Sequence, residues 1–296
     1  MESLRRWLAR LACAALGAAL ALPVLAQASP DAAALRGKQA ELRPRLERNE
    51  FGRPLHIASS QEGDRLRGEV YAVVDHPFSE VSQLQNATTW CDILILPFNT
   101  KHCYASGKGQ DTHLKVRIGR KADQAPEQAF AIDFSYRLAA ASPDYLRVQL
   151  DAPSGPLGTR DYRIVLEATA LDDKRSFIHL AYAYGFTTLS KVLMQTYLST
   201  AGSKKVGFTV VGRDDRNQPI YVGGMPGATE RNTMRYFLAI DAYLASLAAP
   251  PPERVAKRIE TWFAASERYP RQLHEMDRGD YIALKRHETA RVNAAL

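Results

Sequence analysis

The sequence predicts an α+β protein: a curved antiparallel meander of strands, preceded by short helices and followed by one long amphipathic helix. Three observations carry this. Between residues 113 and 186, five runs rich in apolar side chains are separated by turn signals such as Ser142-Pro143-Asp144 and PSGP at 153–156, and the first four alternate apolar with polar. Residues 78–85 carry Phe78, Val81 and Leu84 at helical spacing. Beyond Thr229, Met234, Phe237, Leu238, Ile240, Leu244 and Leu247 mark a broad apolar stripe, which Pro250, Pro251 and Pro252 end.

The N-terminus sets the expected compartment. Arg5, Arg6 and Arg10 precede LACAALGAALAL at residues 11–22, an apolar run of 12 residues followed by small residues at A-x-A-like spacing. This is the pattern of a secretory leader, expected to be cleaved after Ala26, with Ala28 as the alternative. A retained anchor is the competing reading, but the run falls short of the ~20 residues of a membrane span. Cys13, preceded by Arg10, Leu11 and Ala12, does not suit a lipoprotein cleavage site. A periplasmic or secreted location follows. Cleavage removes three arginines and one glutamate, lowering the formal charge from +7 to +5. The remaining basic residues are scattered, so no nucleic-acid footprint is expected; weak contact with a membrane surface is compatible with the charge.

Cys91 and Cys103 are the cysteines left after cleavage. In an oxidising compartment they most simply form a disulfide. A metal site using His102 with Cys103, or a nucleophilic Cys91 assisted by His76, competes. No C-x-x-C and no four-ligand spacing occurs, and no metal or cofactor is expected.

The remaining elements follow in order. DAAALRGKQAELRPRLER at 31–48 predicts a polar helix broken near Pro44, and 52–63 reads as loop. Residues 68–74 form a strand that meets Asp75 and Pro77, with Asp75 expected to cap a helix. Trp90 to Leu96 is helix or strand. In the meander, Leu114, Val116 and Ile118 share a face, as do Phe130, Ile132, Phe134, Tyr136 and Leu138. So do Leu146, Val148 and Leu150, and then Tyr162, Ile164, Leu166 and Ala168. RSFIHLAYAYGF at 175–186 is apolar on both faces: Ile178, Leu180, Tyr182 and Tyr184 on one, Phe177, His179, Ala181 and Ala183 on the other. Leu189, Val192, Leu193 and Tyr197 predict a helix ending near Gly202, and 205–211 one more strand. Thr229 is placed to cap the long helix. Residues 253–269 and 273–293 read as a charged hairpin of helices, a solvated surface or a lid.

GEVYAVVDHPFSEVSQLQNATTWCDIL, the meander and RNTMRYFLAIDAYLASL together resemble the START/Bet v 1-like superfamily, the helix-grip lipid-binding fold. The resemblance covers about residues 65–248. Two features depart from its simplest members: the helix at 188–201 and the trailing hairpin. The chain then divides into a leader (1–26), an N-terminal helix and loop (27–64), a START-like helix-grip domain (65–248) and a charged helical hairpin (253–296). The resemblance implies about seven strands curled round an apolar cavity that the long helix closes. The ligand would be a hydrophobic small molecule or lipid. Its expected contacts are Phe134, Tyr136, His179, Tyr182, Tyr184, Arg235, Phe237 and Leu238. His179 is placed to bond a ligand hydroxyl, against the competing reading of a histidine satisfied by a neighbour. Arg235 offers a fork of donors to a carboxylate or headgroup.

No G-x-S-x-G, H-E-x-x-H or P-loop occurs. The leading reading is therefore a carrier. A cyclase- or hydrolase-type enzyme using His179 and a tyrosine, and an envelope interaction module docking through the hairpin, are the alternatives.

Overall fold

The structure, a computed structural model, describes residues 29–199 and 205–294. The leader at 1–26, with its Ala26 and Ala28 cleavage points, lies outside the described residues, as does the helix end near Gly202.

Eight strands form one antiparallel sheet: β1 (Leu55–Glu62), β2 (Arg65–Val74), β3 (Thr100–Ser106), β4 (His113–Ile118), β5 (Phe130–Ala141), β6 (Tyr145–Ser154), β7 (Thr159–Ala170) and β8 (Ser176–Phe186). Their spatial order is β1-β2-β8-β7-β6-β5-β4-β3. After β2 the chain crosses to the far edge, over a turn at Phe78–Val81 and helix Ala87–Leu94, and the meander then returns to β2. The crossing is pinned where it arrives, because Cys91 on that helix is disulfide-bonded to Cys103 on β3.

Numbering the longer helices, α1 is Pro30–Glu47, α2 Ala87–Leu94, α3 Thr188–Ser199, α4 Gly224–Ser246, α5 Arg254–Ser266 and α6 Arg278–Ala294. Helix α4 lies against β1, β2 and β8. Its approach to β2 is close at Gly68, where a Cβ would come within 2.3 Å of Thr233 Oγ1. Only glycine fits there. Its Met234, Phe237, Leu238 and Ile240 are fully buried, each contributing about 1.5–3 kcal/mol. The opposite sheet face is covered by α1, whose Leu35, Leu42 and Leu46 pack with Tyr145 and Phe177. Strand β8 is thus covered on both sides, which accounts for its two apolar faces.

Helices α5 and α6 are not merely a solvated surface: each packs one face into the main core. Trp262 and Tyr281 are fully buried, and Trp262 Nε1 donates to Arg235 O at 3.0 Å. Beneath α6 lies a buried ionic cluster. Lys101 and Lys285 donate to the two oxygens of Glu288, at 2.7 and 2.6 Å. The carbonyls of Phe98 and Ala122 accept from Lys101, and those of Pro97 and Thr100 from Lys285. Each ammonium thereby keeps three acceptors, the condition on which burial of charge is tolerated. Even so, burial brings Lys285 down to about 8, against the pull of Glu288.

Several expectations are corrected. Residues 55–62 are a strand, not loop: Leu55 and Ile57 are buried, and a tight turn with Gly63 at φ +57° joins β1 to β2. Two apolar alternations were too few to signal it. Helix α1 runs through Pro44 to Glu47 because Leu42 and Leu46, on either side, hold both halves on the sheet. Asp75 caps nothing. The helical turn begins at Phe78 behind Pro77 with no side-chain cap, and Asp75 stands too early. Thr229 lies inside α4, donating to Met225 O, since the helix starts at Gly224 and Pro226 is tolerated in its first turn. The late strand is Val210–Arg213, paired with Pro219–Tyr221 apart from the main sheet. Phe130 and Leu138 are exposed, while Ile132, Phe134 and Tyr136 between them are buried.

Candidate functional site

A cavity of about 440 Å³ lies between the concave sheet face and α4. Its floor is apolar: Val116 on β4, Ile132 and Phe134 on β5, and Leu94 and Phe98 from the end of α2 and the loop after it. Alternation puts these side chains on one face of the sheet, and curvature brings them together.

Tyrosines form a second part of the wall. Tyr162 on β7 stacks on Tyr184, with ring centroids 5.6 Å apart, and meets Phe134 edge-on at 6.3 Å. Tyr182 meets Tyr236 of α4 at 5.5 Å. Burial pushes the Tyr162 and Tyr182 hydroxyls far up and Tyr236 to about 12, so all three are neutral at ordinary pH. Tyr162 is held in place from the turn before β7. Its hydroxyl donates to Thr159 Oγ1 at 2.8 Å, and a Cβ on Gly155 would come within 2.4 Å of its ring.

A third part is charged. Glu275 accepts from Arg235 at 2.5 Å and from Lys121 at 2.8 Å, with Lys205 Nζ at 4.0 Å. Arg235 also donates to Asn232 Oδ1 at 3.2 Å, and Arg231 to Val206 O at 3.2 Å. Burial alone would raise the Glu275 carboxyl, but Arg235 and Lys121 outweigh it and hold the group low. Burial holds the Lys121 ammonium below its usual range against the pull of Glu275.

The rim is apolar and solvent-facing. Leu157 in the turn before β7 is 54% exposed and Leu193 on α3 is 40% exposed, and both also line the cavity. Leu189 and Val192 beside them on α3 are 62% and 53% exposed. Leu157 adopts φ +57°, a left-handed conformation uncommon for leucine.

Of the expected ligand contacts, Phe134, Tyr182 and Arg235 line this cavity. Tyr184 stacks behind Tyr162. Tyr136 is buried under the crossing segment, its hydroxyl donating to Gln85 O. Phe237 packs under the Arg53 guanidinium, 5.2 Å from its ring centroid, and Leu238 sits in the packed core. His179 is corrected outright. It is three residues from Tyr182, so it projects from the opposite face, beneath Tyr71. There Nδ1 meets Glu167 at 2.9 Å and Nε2 meets Glu69 at 2.8 Å. The neighbour-satisfied reading holds, and the pairing of His179 with a cavity tyrosine as acid and base fails.

Sequence reasoning missed Arg231, Asn232 and Tyr236, although Arg231 and Arg235 share a helix face at i, i+4 spacing. Lys121 and Glu275 come from loops 154 residues apart in sequence, and nothing local announces their meeting.

No protein-family model matches the sequence, and no curated protein matches it. Among solved structures, norcoclaurine synthase from Thalictrum flavum is similar at 13% identity over 49% of this chain and 90% of that one, with a TM-score of 0.34. A START superfamily protein from Mycobacterium smegmatis is similar at 9% identity over 50% and 92%, TM-score 0.32. The Zhui aromatase/cyclase from Streptomyces sp. R1128 is similar at 11% identity over 72% and 95%, TM-score 0.31. Values this low leave the fold to be settled by the chain itself. Strand order, the crossing by helical turns and α2, and α4 across the concave face make it a helix-grip fold, extended by one edge strand, the α3 segment and two C-terminal helices.

Proposed function

We propose that the protein binds and carries a hydrophobic ligand, a lipid or lipid-like molecule, in the cavity between the sheet and α4. The observation that carries this is the cavity itself: a wall with more apolar and aromatic than polar surface, in which the charged groups lie together at Lys121, Arg231, Arg235 and Glu275, the usual make-up of a small-molecule site. The Cys91–Cys103 disulfide and the N-terminal sequence support a secreted, oxidising location. Helix α3 supports transfer at a membrane surface. It carries exposed Leu189, Val192 and Leu193 beside the cavity, one lysine, and no acidic residue.

Native mass spectrometry of protein purified gently from its own compartment tests the reading. A stoichiometric added mass, extractable with organic solvent, is the expected result. Protein that remains bare after incubation with envelope lipids overturns it.

A further inference from the structure

We propose that the ligand carries an uncharged oxygen, as in a ketone, ester or alcohol, and that the Tyr236 hydroxyl binds it; this rests on the reading of the cavity as a hydrophobic-ligand site. The charged groups of the cavity are engaged within the protein: Glu275 accepts from Arg235 and Lys121, and Arg231 donates to Val206 O. The tyrosines of the sheet are engaged as well, since Tyr162 donates to Thr159 Oγ1 and Tyr182 bonds to Tyr162. Tyr236 differs. It lines the cavity from α4, and among the described residues its hydroxyl has no hydrogen-bond partner, yet that hydroxyl is not shut away in packing. The side-chain amide of Asn99, which also lines the cavity, has no partner among the described residues either. What the wall leaves unspent at these two places is neutral hydrogen bonding.

The Tyr236 ring packs on Tyr182, 5.5 Å between centroids, which fixes where its hydroxyl stands. Burial keeps that hydroxyl protonated at ordinary pH, so it offers one O–H donor. A sheltered donor without an acceptor costs free energy, and a ligand oxygen removes that cost. A neutral hydroxyl matches a neutral acceptor, because it does not offset the dehydration of a charge. The rest of the ligand meets Ile132 and Phe134 on β5, so its body is apolar. A volume of about 440 Å³ suits a drug-sized molecule with one such oxygen.

The test uses three probes with one body: acetylnaphthalene, its ketone-free counterpart isopropylnaphthalene, and naphthoate. Equilibrium dialysis gives their affinities for wild-type protein and Tyr236→Phe at neutral pH, and infrared spectra follow the carbonyl stretch of bound acetylnaphthalene. The ratio of acetylnaphthalene to isopropylnaphthalene affinity is expected to fall about threefold to tenfold in Tyr236→Phe, the size of one neutral hydrogen bond. Taking the ratio cancels the different hydration of the two probes. In wild-type protein the carbonyl stretch should lie below its position in cyclohexane, and Tyr236→Phe should return it. Should Tyr236→Phe not fold, the wild-type band decides. An unchanged ratio, or a band at its cyclohexane position, overturns the assignment to Tyr236 and leaves the hydrophobic site standing. Tighter binding of naphthoate than of acetylnaphthalene overturns the uncharged class. Binding of none of the three overturns both readings.

Discussion

The ring of His179 lies flat on that of Tyr71, with centroids 4.2 Å apart and planes 2° from parallel. Stacking fixes the imidazole while Glu69 and Glu167 hold its two nitrogens, so its place is between two carboxylates under α1, away from the cavity. Glu167 is held at about 2 by its bond from His179, against burial. Burial would raise Glu69, but His179 and Arg67 bring it to about 2 as well. Burial alone would lower His179, yet the two carboxylates keep it raised.

A pH dependence follows, with signs fixed by those shifts. The carboxylates, lowered on folding, contribute stability present above about 4.5 that is lost as pH falls towards about 2. His179, raised on folding, contributes stability present below about 6.5 that is lost as pH rises through its folded value. Urea midpoints should therefore peak between about pH 4.5 and 6.5. His179→Ala should cost about 3 kcal/mol at pH 6 and flatten the alkaline limb. Ligand affinity should be unchanged. A loss of binding with intact stability would return His179 to the site.

Glu288 is shared by two buried ammonium groups, so its removal should be the worst single change in that cluster. Glu288→Gln leaves Lys101 and Lys285 facing one another without a counter-charge, whereas Lys285→Met leaves the Lys101–Glu288 pair intact. Both should destabilise, by about 3–5 kcal/mol for Glu288→Gln and less for Lys285→Met. Thermal melts of the two variants give the order. Reversal of that order would mean that the backbone carbonyls, and not the carboxylate, hold the lysines.

Gly68→Ala places a methyl against Thr233 Oγ1 and beside Thr229. Overpacking of this kind costs about 1–3 kcal/mol. Thr233→Ala alone should be mild, and the double variant should recover part of the loss because the nearest atom has gone. Denaturant titration of the four-member cycle checks this; strict additivity would show that the helix does not rest on Gly68.

Replacing Cys91 and Cys103 by serine should lower stability by about 3 kcal/mol, the chain-entropy value for a short loop. The bond ties α2 to the edge strand β3, and Leu94 and Thr100, near its two ends, line the cavity. Affinity for a hydrophobic ligand should therefore fall along with stability. Unchanged affinity in the folded double variant would separate the bond from the site.

Much of this architecture was legible because period-two alternation survives in the strands of the meander and a broad apolar stripe in α4. Strand β8 was readable as buried on both faces from its sequence alone. The faces were not assignable, since Tyr182 and His179 both look like ligand groups until something shows which side the helix grips. Strand β1 was hidden because its outer half, Ser59 to Glu62, is polar. The charged wall was illegible for a topological reason: Lys121, Arg235 and Glu275 meet only after three separate segments have folded. The C-terminal helices looked like a solvated surface because Lys285 and Glu288, fully buried, read as ordinary surface charges until Lys101 joins them.

That last contact joins residues 187 positions apart in the chain. Pairings so distant lose much loop-closure entropy before any contact rewards them, and they slow folding. As the chain is synthesised, the complete meander emerges before α4, which closes the cavity, and before Glu275, the last of its lining residues. The ligand site is therefore among the last parts of the molecule to exist, because its apolar floor on β4 and β5 is made long before the helix and the loop that close it.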